Sequence, residues 1–280
     1  MRIHCISTGF VAVHPSQQTG KGKGIFNMLH TLRDKEWTPR LPIHVWVIEH
    51  PEGVIVIDTG ETSRAMEPGY FPSWHPYFKN LKEWVNPEDE IGPQLKNTGI
   101  EPSNVKYVIM THLHTDHAGG LSHFPDSEIL VHNPTYKNAL GLKGLLKGFL
   151  NNRFPSWFAP KLFSLDNTSF GPFPKSLKVF DDLIIVPTYG HTDYHISVIL
   201  KQDDLYYFFA GDASYTQDNM VNGKVDGVSL HNEIALNTLN NIKEFTANYP
   251  TVYLPSHDPD SENRFNNQEL VFDIEQVEAG

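Results

Sequence analysis

Residues 111–120, Thr-His-Leu-His-Thr-Asp-His-Ala-Gly-Gly, concentrate side chains that bind metals. Three imidazoles and one carboxylate, those of His112, His114, Asp116 and His117, fall within six positions. On an extended segment His112 and His114 point the same way and can hold one ion together, whereas Asp116 and His117 point elsewhere and can serve a second ion. A loop of solvated histidines is the alternative, but this density after an apolar run argues against it. The segment therefore predicts a site for two metal ions, with zinc, iron, cobalt and manganese all suited to the donors.

Three later segments each place one further ligand candidate just beyond an apolar run. His191 follows the run at 183–187, Asp212 follows 205–210, and His257 follows 252–255. Apolar runs of this length read as buried strands, and the loops that follow strands are where functional residues concentrate. These three side chains are therefore candidates to complete the metal site.

With these motifs the chain resembles the metallo-β-lactamase superfamily and, within it, the dinuclear N-acyl-homoserine lactonases. The resemblance implies an α/β fold, the αββα sandwich with its metals at one edge, here carrying helical and aromatic insertions. It also implies two zinc ions per chain, with iron, cobalt or manganese as substitutes. The metal ligands it implies are His112, His114, Asp116, His117, His191, Asp212 and His257.

The same resemblance implies a mechanism for opening a lactone ring. Asp212 and a hydroxide would bridge the two metals, the hydroxide would attack the carbonyl, and Asp116 would donate a proton to the leaving alkoxide. Tyr215 stands three positions beyond Asp212 and matches the tyrosine that these lactonases aim at the lactone carbonyl. A phenol there can stabilise the oxyanion that exists only in the transition state. Asp116 and Tyr215 are therefore the expected catalytic residues.

Asp58 is expected to support the metal loop without being a ligand. The segment Val54–Gly60 repeats the strand and turn by which the superfamily props this loop from behind. A carboxylate in this place commonly hydrogen-bonds a ligating histidine or a backbone amide and fixes its orientation. A local turn contact within Asp-Thr-Gly is the alternative.

One motif departs from the family pattern. Many lactonases and thioesterases read His-Thr-Pro-Gly-His around the ligand that His191 matches, whereas this chain reads His-Thr-Asp-Tyr-His. Replacing Pro-Gly by Asp193 and Tyr194 changes the freedom of the loop backbone and its exposed chemistry, which bears on substrate preference. His195, directly before an apolar run, is expected to be structural or to support the ligands.

Composition excludes several classes of protein. The chain has 280 residues with 22 basic and 33 acidic side chains, and a formal net charge of −11 argues against nucleic acid as a partner. Its one cysteine, Cys5, cannot form an intramolecular disulfide. No run approaches the roughly 20 apolar residues of a membrane helix, and the N-terminus reads as a strand rather than a signal peptide. We therefore expect a cytoplasmic protein without a membrane anchor.

Strands and helical segments alternate along the chain with no repeat or linker, which predicts one domain spanning residues 1–280. A hairpin is expected from 43–49 and 54–57 around the turn His50-Pro51-Glu52-Gly53. Further strands are expected at 105–110, 129–132, 183–186, 196–200 and 205–210. Helices are expected at 80–85, around 136–150 and at 233–248.

Two insertions near 64–87 and 140–163 are rich in aromatic and other apolar residues. They can wall a hydrophobic pocket for an acyl chain, or they can pack on the scaffold as small additional cores. Basic residues interleaved in the second insertion also suit a homodimer contact or a membrane surface. Because the rest of the chain is acidic, a pocket wall or a homodimer contact is favoured over a membrane anchor.

Other activities share the same metal chemistry. A general lactonase or esterase, a hydroxyacyl-thiol hydrolase and an organophosphate hydrolase are the alternatives to the N-acyl-homoserine lactonase. A nuclease needs a basic track for phosphates, which the acidic balance disfavours. The expected substrate is therefore a small lactone or ester that carries an acyl chain.

Overall fold

A computed structural model describes residues 1–22, 24–229 and 231–272. Its strands are β1 (Arg2–Val13), β2 (Leu41–His50), β3 (Gly53–Ile57), β4 (Leu81–Trp84), β5 (Val105–Met110), β6 (Glu128–His132), β7 (Lys161–Phe163), β8 (Leu177–Lys178), β9 (Leu183–Pro187), β10 (Ile196–Gln202), β11 (Leu205–Gly211) and β12 (Thr251–Pro255). Its α-helices are α1 (Pro15–Gln18), α2 (Ile25–Arg33), α3 (Pro76–Lys79), α4 (Ile91–Asn97), α5 (Thr115–Ala118), α6 (Asn133–Ala139), α7 (Gly141–Leu146), α8 (Gln217–Val221), α9 (Asn232–Asn248) and α10 (Ser261–Asn267).

The chain forms two compact units, and the first contains residues 1–14 and 35–163. Its sheet has the strand order β4-β1-β2-β3-β5-β6-β7. Pairing is antiparallel from β4 to β3 and parallel from β3 to β7. The central strands are continuous apolar runs because both of their faces are covered, and β2 buries nine of its ten residues.

The second unit contains residues 15–34 and the chain from 164 onward. Its sheet has the order β12-β11-β10-β9-β8, with β11 and β12 parallel and the other neighbours antiparallel. The long helix α9 turns Leu239, Ile242 and Phe245 inward at helical spacing, where they join Phe208 and Tyr253 in one apolar core. The stretch 15–34, although near the N-terminus, thus belongs to the unit formed mainly by the C-terminal part of the chain.

The α/β class with its predicted strands is confirmed, and so are the hairpin of β2 and β3 and the helix at 233–248. The helix expected at 80–85 is wrong, because residues 81–84 form the edge strand β4 paired with the end of β1. Burial alternates there, with Glu83 and Val85 inside, which is the period of a strand. A single domain over residues 1–280 stays a prediction.

The single helix expected around 136–150 is also wrong, because the structure has two short helices, α6 and α7. Leu140 between them has an extended backbone with ψ of 153°. Gly141 has a φ of +67°, a left-handed conformation that glycine adopts without strain. The chain therefore turns sharply between the two helices.

In the described ranges, the structure contains no helix with both the length and the apolar character that crossing a membrane requires.

Candidate metal centre

Asp58 and Thr111 meet because they directly follow two neighbouring parallel strands, β3 and β5, whose carboxyl ends lie at the same edge of the sheet. Asp58 Oδ1 accepts the amide of Thr111 at 2.8 Å, and Oδ2 accepts the Thr111 hydroxyl at 2.8 Å. Oδ2 also lies 2.8 Å from Nδ1 of His117. Asp58 has a φ of +60°, a left-handed conformation that aspartate tolerates better than most residues. Its buried carboxylate therefore holds two parts of the histidine-rich loop.

These contacts determine which ring nitrogens carry lone pairs. A carboxylate only accepts, so Nδ1 of His117 donates to Asp58 and leaves Nε2 as a lone-pair donor. The Thr111 hydroxyl donates its one proton to Asp58, so it accepts from Nδ1 of His112 at 3.1 Å. Nε2 of His112 therefore carries its lone pair.

The predicted donors of this segment converge within the first unit. His112 Nε2 lies 3.0 Å from His114 Nδ1, and Asp116 Oδ1 lies 4.0 Å from His117 Nε2. The three imidazoles are almost completely buried. The short helix α5, which begins after His114, turns the chain so that Asp116 and His117 return toward the first two histidines.

Aromatic side chains of both insertions flank His114. The ring of Phe149 stacks on it with centroids 4.9 Å apart, and the Tyr77 ring lies 5.6 Å away. The insertions also pack against each other, because Tyr70 and Phe78 share an apolar cluster with Leu150. The two insertions therefore form a small additional core, and the rings of Tyr77 and Phe149 lie beside a metal-ligand candidate, while a pocket wall for an acyl chain stays a prediction.

The first unit also buries two glutamates, Glu61 and Glu83. Burial raises the pKa of Glu61 to about 8, against the hydrogen bond from the Thr62 amide, and the charge of Asp116 raises it further. Burial, followed by the charges of Glu61 and Asp116, raises the pKa of Glu83 well above its ordinary value. Neither Glu83 oxygen has a hydrogen-bond partner among the described residues. These acids were not identified from the sequence.

The second unit assembles its own donors at the ends of β9, β11 and β12, which run in the same direction. Asp212 lies between two imidazoles, with Oδ2 3.3 Å from His191 Nε2 and Oδ1 3.4 Å from His257 Nε2. All three side chains are buried. One carboxylate that presents each oxygen to a different imidazole is an arrangement suited to bridging two ions.

Asp226 orients His191 and was missed by the sequence analysis. Its Oδ2 lies 3.2 Å from His191 Nδ1, and its Oδ1 accepts the amides of Val228 and Ser229 at 2.9 and 2.7 Å. The only local signal is an acidic residue between apolar neighbours in Val225–Val228, and this pattern does not identify its distant partner.

The donors fit a metal ion. Because His191 Nδ1 donates to Asp226, its Nε2 presents a lone pair to an Asp212 oxygen that also only accepts, at 3.3 Å in a buried place. Two such lone pairs repel unless a cation lies between them. Imidazole and carboxylate donors together suit zinc and other first-row metals. The described residues include groups of histidine and aspartate side chains that can hold a metal ion.

His195 and Tyr215 flank this second donor set. The buried His195 accepts the backbone amide of Asp212 at Nε2, at 3.0 Å. The buried ring of Tyr215 lies 5.8 Å from that of His257, and its hydroxyl oxygen accepts a hydrogen bond from Gln17 Nε2 at 3.1 Å. Tyr215 therefore lies beside a candidate ligand, in the same unit as Asp212.

Comparison of the sequence with protein families gives a match over residues 38–257 to the metallo-beta-lactamase superfamily. An N-acyl homoserine lactonase from a Bacillus species is 28% identical over 224 residues, which cover 79% of this chain and 83% of the relative. The N-acyl homoserine lactonase AttM of Rhizobium radiobacter is 25% identical over 235 residues, with the same two coverages.

Solved structures show the same fold. A structure of an N-acyl homoserine lactone hydrolase, with the product N-hexanoyl-L-homoserine at its catalytic metal center, has a TM-score of 0.73. It is 22% identical and covers 93% of this chain and 94% of its own. The hydrolase AbOPH has a TM-score of 0.61 at 19% identity, covering 92% of this chain and 87% of its own. The expected fold is thus confirmed, and the chain belongs, as a hydrolase, to the metallo-beta-lactamase superfamily.

Proposed function

We propose that this protein hydrolyses N-acyl-homoserine lactones and so degrades the signals that carry this ring. The observation that carries the proposal is Asp212, whose two oxygens face His191 and His257, with the Tyr215 ring beside His257. This combination provides a carboxylate that could hold two ions and a phenol that could donate a hydrogen bond to a substrate carbonyl. The similarity to N-acyl homoserine lactonases over 79% of the chain supports the choice of substrate.

The seven predicted ligands are proposed to hold two zinc ions. The ligands are His112, His114, Asp116 and His117 from the first unit, and His191, Asp212 and His257 from the second. When bound, such ions lower the pKa of water toward about 7 and polarise a carbonyl oxygen. Asp58 and Asp226 each fix a ligating imidazole by accepting from its Nδ1, which leaves the Nε2 lone pair for the metal.

Asp116 is proposed to move the proton that ring opening requires. Attack of a water-derived oxygen on the lactone carbonyl breaks the ring C–O bond, and the departing alkoxide takes a proton. Asp116 is only partly buried, with a side-chain exposure of 14%, and it lies next to His117. A carboxyl group in this place can deliver the proton to the alkoxide, and the product is an N-acyl-homoserine.

Tyr215 is proposed to donate a hydrogen bond to the carbonyl oxygen. Charge develops on this oxygen only as the tetrahedral transition state forms, so the hydrogen bond accelerates the reaction rather than merely binding the substrate. The ring is held by burial, with 5% of its surface exposed. Such a fixed phenol does not need to reorganise when the charge appears.

The aromatic residues beside His114 are proposed to contact the acyl chain. Tyr77 comes from the first insertion and Phe149 from the second, and both rings lie within 6 Å of the His114 ring. Apolar rings next to a polar reaction centre suit a substrate with a polar ring and an apolar tail. Substitution of either ring should therefore change the preference for acyl-chain length.

The test is hydrolysis of short- and long-chain N-acyl-homoserine lactones by zinc-loaded protein, followed as acid release near neutral pH. A simple thioester and a phosphotriester are assayed in parallel. Fast opening of the lactones supports the proposal, and Tyr215→Phe should slow it while the metal content stays the same. Brisk cleavage of the thioester or the phosphotriester without lactone turnover would replace the proposed substrate with one from another class.

A further inference from the structure

We infer that Gln17 is a positioning residue for Tyr215, directing the phenol proton toward the substrate; this inference rests on the proposed function. Gln17 lies in α1, in the stretch 15–34 that belongs to the second unit. Its Nε2 lies 3.1 Å from the Tyr215 hydroxyl oxygen, and both side chains are buried. The two residues are 198 positions apart in the chain.

The direction of this hydrogen bond matters for catalysis. A phenol has one proton to donate and lone pairs with which to accept. Because the Gln17 amide donates to the phenol oxygen, this contact uses a lone pair of Tyr215 and not its proton. Accepting a hydrogen bond also polarises the O–H bond and makes the phenol a stronger donor.

Hydrogen bonds to two other segments hold the main chain around Gln17 in place. The Gln17 carbonyl accepts the amide of Gly227 at 2.7 Å, next to Asp226, which orients His191. Asn219, in the helix that follows Tyr215, donates from Nδ2 to the carbonyl of Gln18 at 3.2 Å and to Thr19 Oγ1 at 2.9 Å. Gln17 is therefore held against Tyr215 by contacts that do not involve its own side chain.

The loop that contains Gly227 packs closely against α1. An added Cβ at Gly227 would clash with the carbonyl oxygen of Ser16, so only glycine lets the chain approach α1 so closely. At the other end of the stretch, Asn27 donates from Nδ2 to the carbonyl of Asp226 at 2.8 Å. Residues of the stretch 15–34 thus contact both the backbone at Asp226 and Gly227 and the side chain of Tyr215.

The experiment compares Gln17→Met with Gln18→Met. Methionine keeps the length of glutamine but cannot donate, and Gln18 contacts Asn219 through its backbone, so its variant is a matched control. Gln17→Met should lower kcat for lactone opening by roughly tenfold with KM unchanged, the loss expected for one hydrogen bond. Gln18→Met should leave kcat unchanged.

Two further variants separate positioning from a general structural role. In a Tyr215→Phe background, Gln17→Met should cause no additional loss of kcat, because the group that it positions is gone. Gln17→Leu also fills the space without a donor, so kcat should fall about as far as in Gln17→Met. Full activity of Gln17→Leu, or an equal loss of kcat from Gln17→Met in the Tyr215→Phe background, would overturn the inference.

A spectroscopic readout makes the result independent of turnover. In protein labelled with 13Cζ-tyrosine, the Tyr215 resonance is identified by its absence in Tyr215→Phe. It should shift in Gln17→Met and stay in place in Gln18→Met. An unmoved resonance in Gln17→Met overturns this inference alone, whereas a wild-type protein that opens no lactone overturns the proposed function.

Discussion

The imidazole of His195 lies behind the backbone of Asp212 and accepts its amide at Nε2, at 3.0 Å. A backbone amide can only donate, so Nε2 carries a lone pair and Nδ1 carries the proton, which goes to Thr188 Oγ1 at 2.8 Å. Thr188 then donates to the hydroxyl of Ser197 at 2.7 Å, and Ser197 donates to the carbonyl of Ala210 at 3.0 Å. This chain of hydrogen bonds fixes the neutral form of His195 and holds the strand end from which Asp212 projects.

His195→Phe should therefore destabilise the protein and weaken metal binding. The aromatic ring fills the space but leaves the buried Asp212 amide without an acceptor, which costs about 1–3 kcal/mol. His195→Gln can restore an acceptor and should lose less. Urea unfolding of the metal-free variants and metal analysis of the loaded ones provide the measurements, and a Phe variant as stable as the wild type would refute this assignment.

Asp226→Asn should reduce metal affinity by about 10- to 100-fold, as loss of a carboxylate behind a ligating histidine commonly does. The asparagine oxygen can still accept the hydrogen bond from His191 Nδ1. Without the negative charge, however, His191 becomes a weaker metal ligand. Asp218→Asn is a suitable control, because this exposed acid in the same unit pairs with Lys224. Competition with a chelator of known affinity measures the change, and equal affinities of the two variants would contradict the role of Asp226.

Asp58→Asn should also weaken metal binding, because it changes the hydrogen bond that orients His117. Asparagine tolerates the left-handed backbone that Asp58 adopts, so the variant changes the hydrogen bonds and leaves the backbone conformation accessible. An asparagine Oδ1 cannot serve all three contacts with Thr111 and His117, so metal affinity should again fall by about 10- to 100-fold. Asp58→Ala should be less stable in addition, because it loses the contacts and also strains the backbone. Unaltered metal affinity in Asp58→Asn would show that His117 needs no carboxylate.

Glu83 should make the stability of the metal-free protein depend on pH. Its pKa is raised in the folded state, mainly by burial and then by Glu61 and Asp116, so the native state binds more protons than the unfolded state. The stabilising contribution is complete below the ordinary glutamate pKa near 4.5 and is lost as pH rises toward the folded pKa. The slope for one group is at most about 1.4 kcal/mol per pH unit.

Glu83→Gln keeps the shape and removes this titration. The free energy of unfolding of the metal-free variant should therefore rise relative to the wild type between pH 5 and pH 9. Urea unfolding across that range measures the difference. A constant difference between the two proteins would mean that Glu83 is ionised in the folded state throughout.

The local part of the site is predictable from the sequence. His112, His114, Asp116 and His117 are close in the chain, and His191, Asp212 and His257 each follow a strand that an apolar run identifies. Parallel neighbours then bring the strand ends to one edge in each sheet, as for β11 and β12. The spacing of these residues and the positions of the strands are local properties, and both can be inferred from the pattern of the sequence.

The contacts that tune the site are not predictable in this way. Gln17 and Tyr215 meet across 198 positions, and Asp226 reaches His191 across a loop whose course depends on α1 packing. The strand β4 likewise depends on its pairing with β1, which overrides the local pattern at 80–85. Long-range packing therefore decides these features, and a single sequence records it only weakly.

The central claim is that two bound metal ions support lactone opening. It is tested most directly by adding zinc stepwise to metal-free protein, measuring bound zinc per chain, and recording the rate of N-acyl-homoserine lactone hydrolysis at each step. We predict that the rate reaches its maximum at two ions per chain and that Asp212→Asn does not reach it. Full hydrolysis by the metal-free protein, or no hydrolysis at two bound ions, would contradict the account.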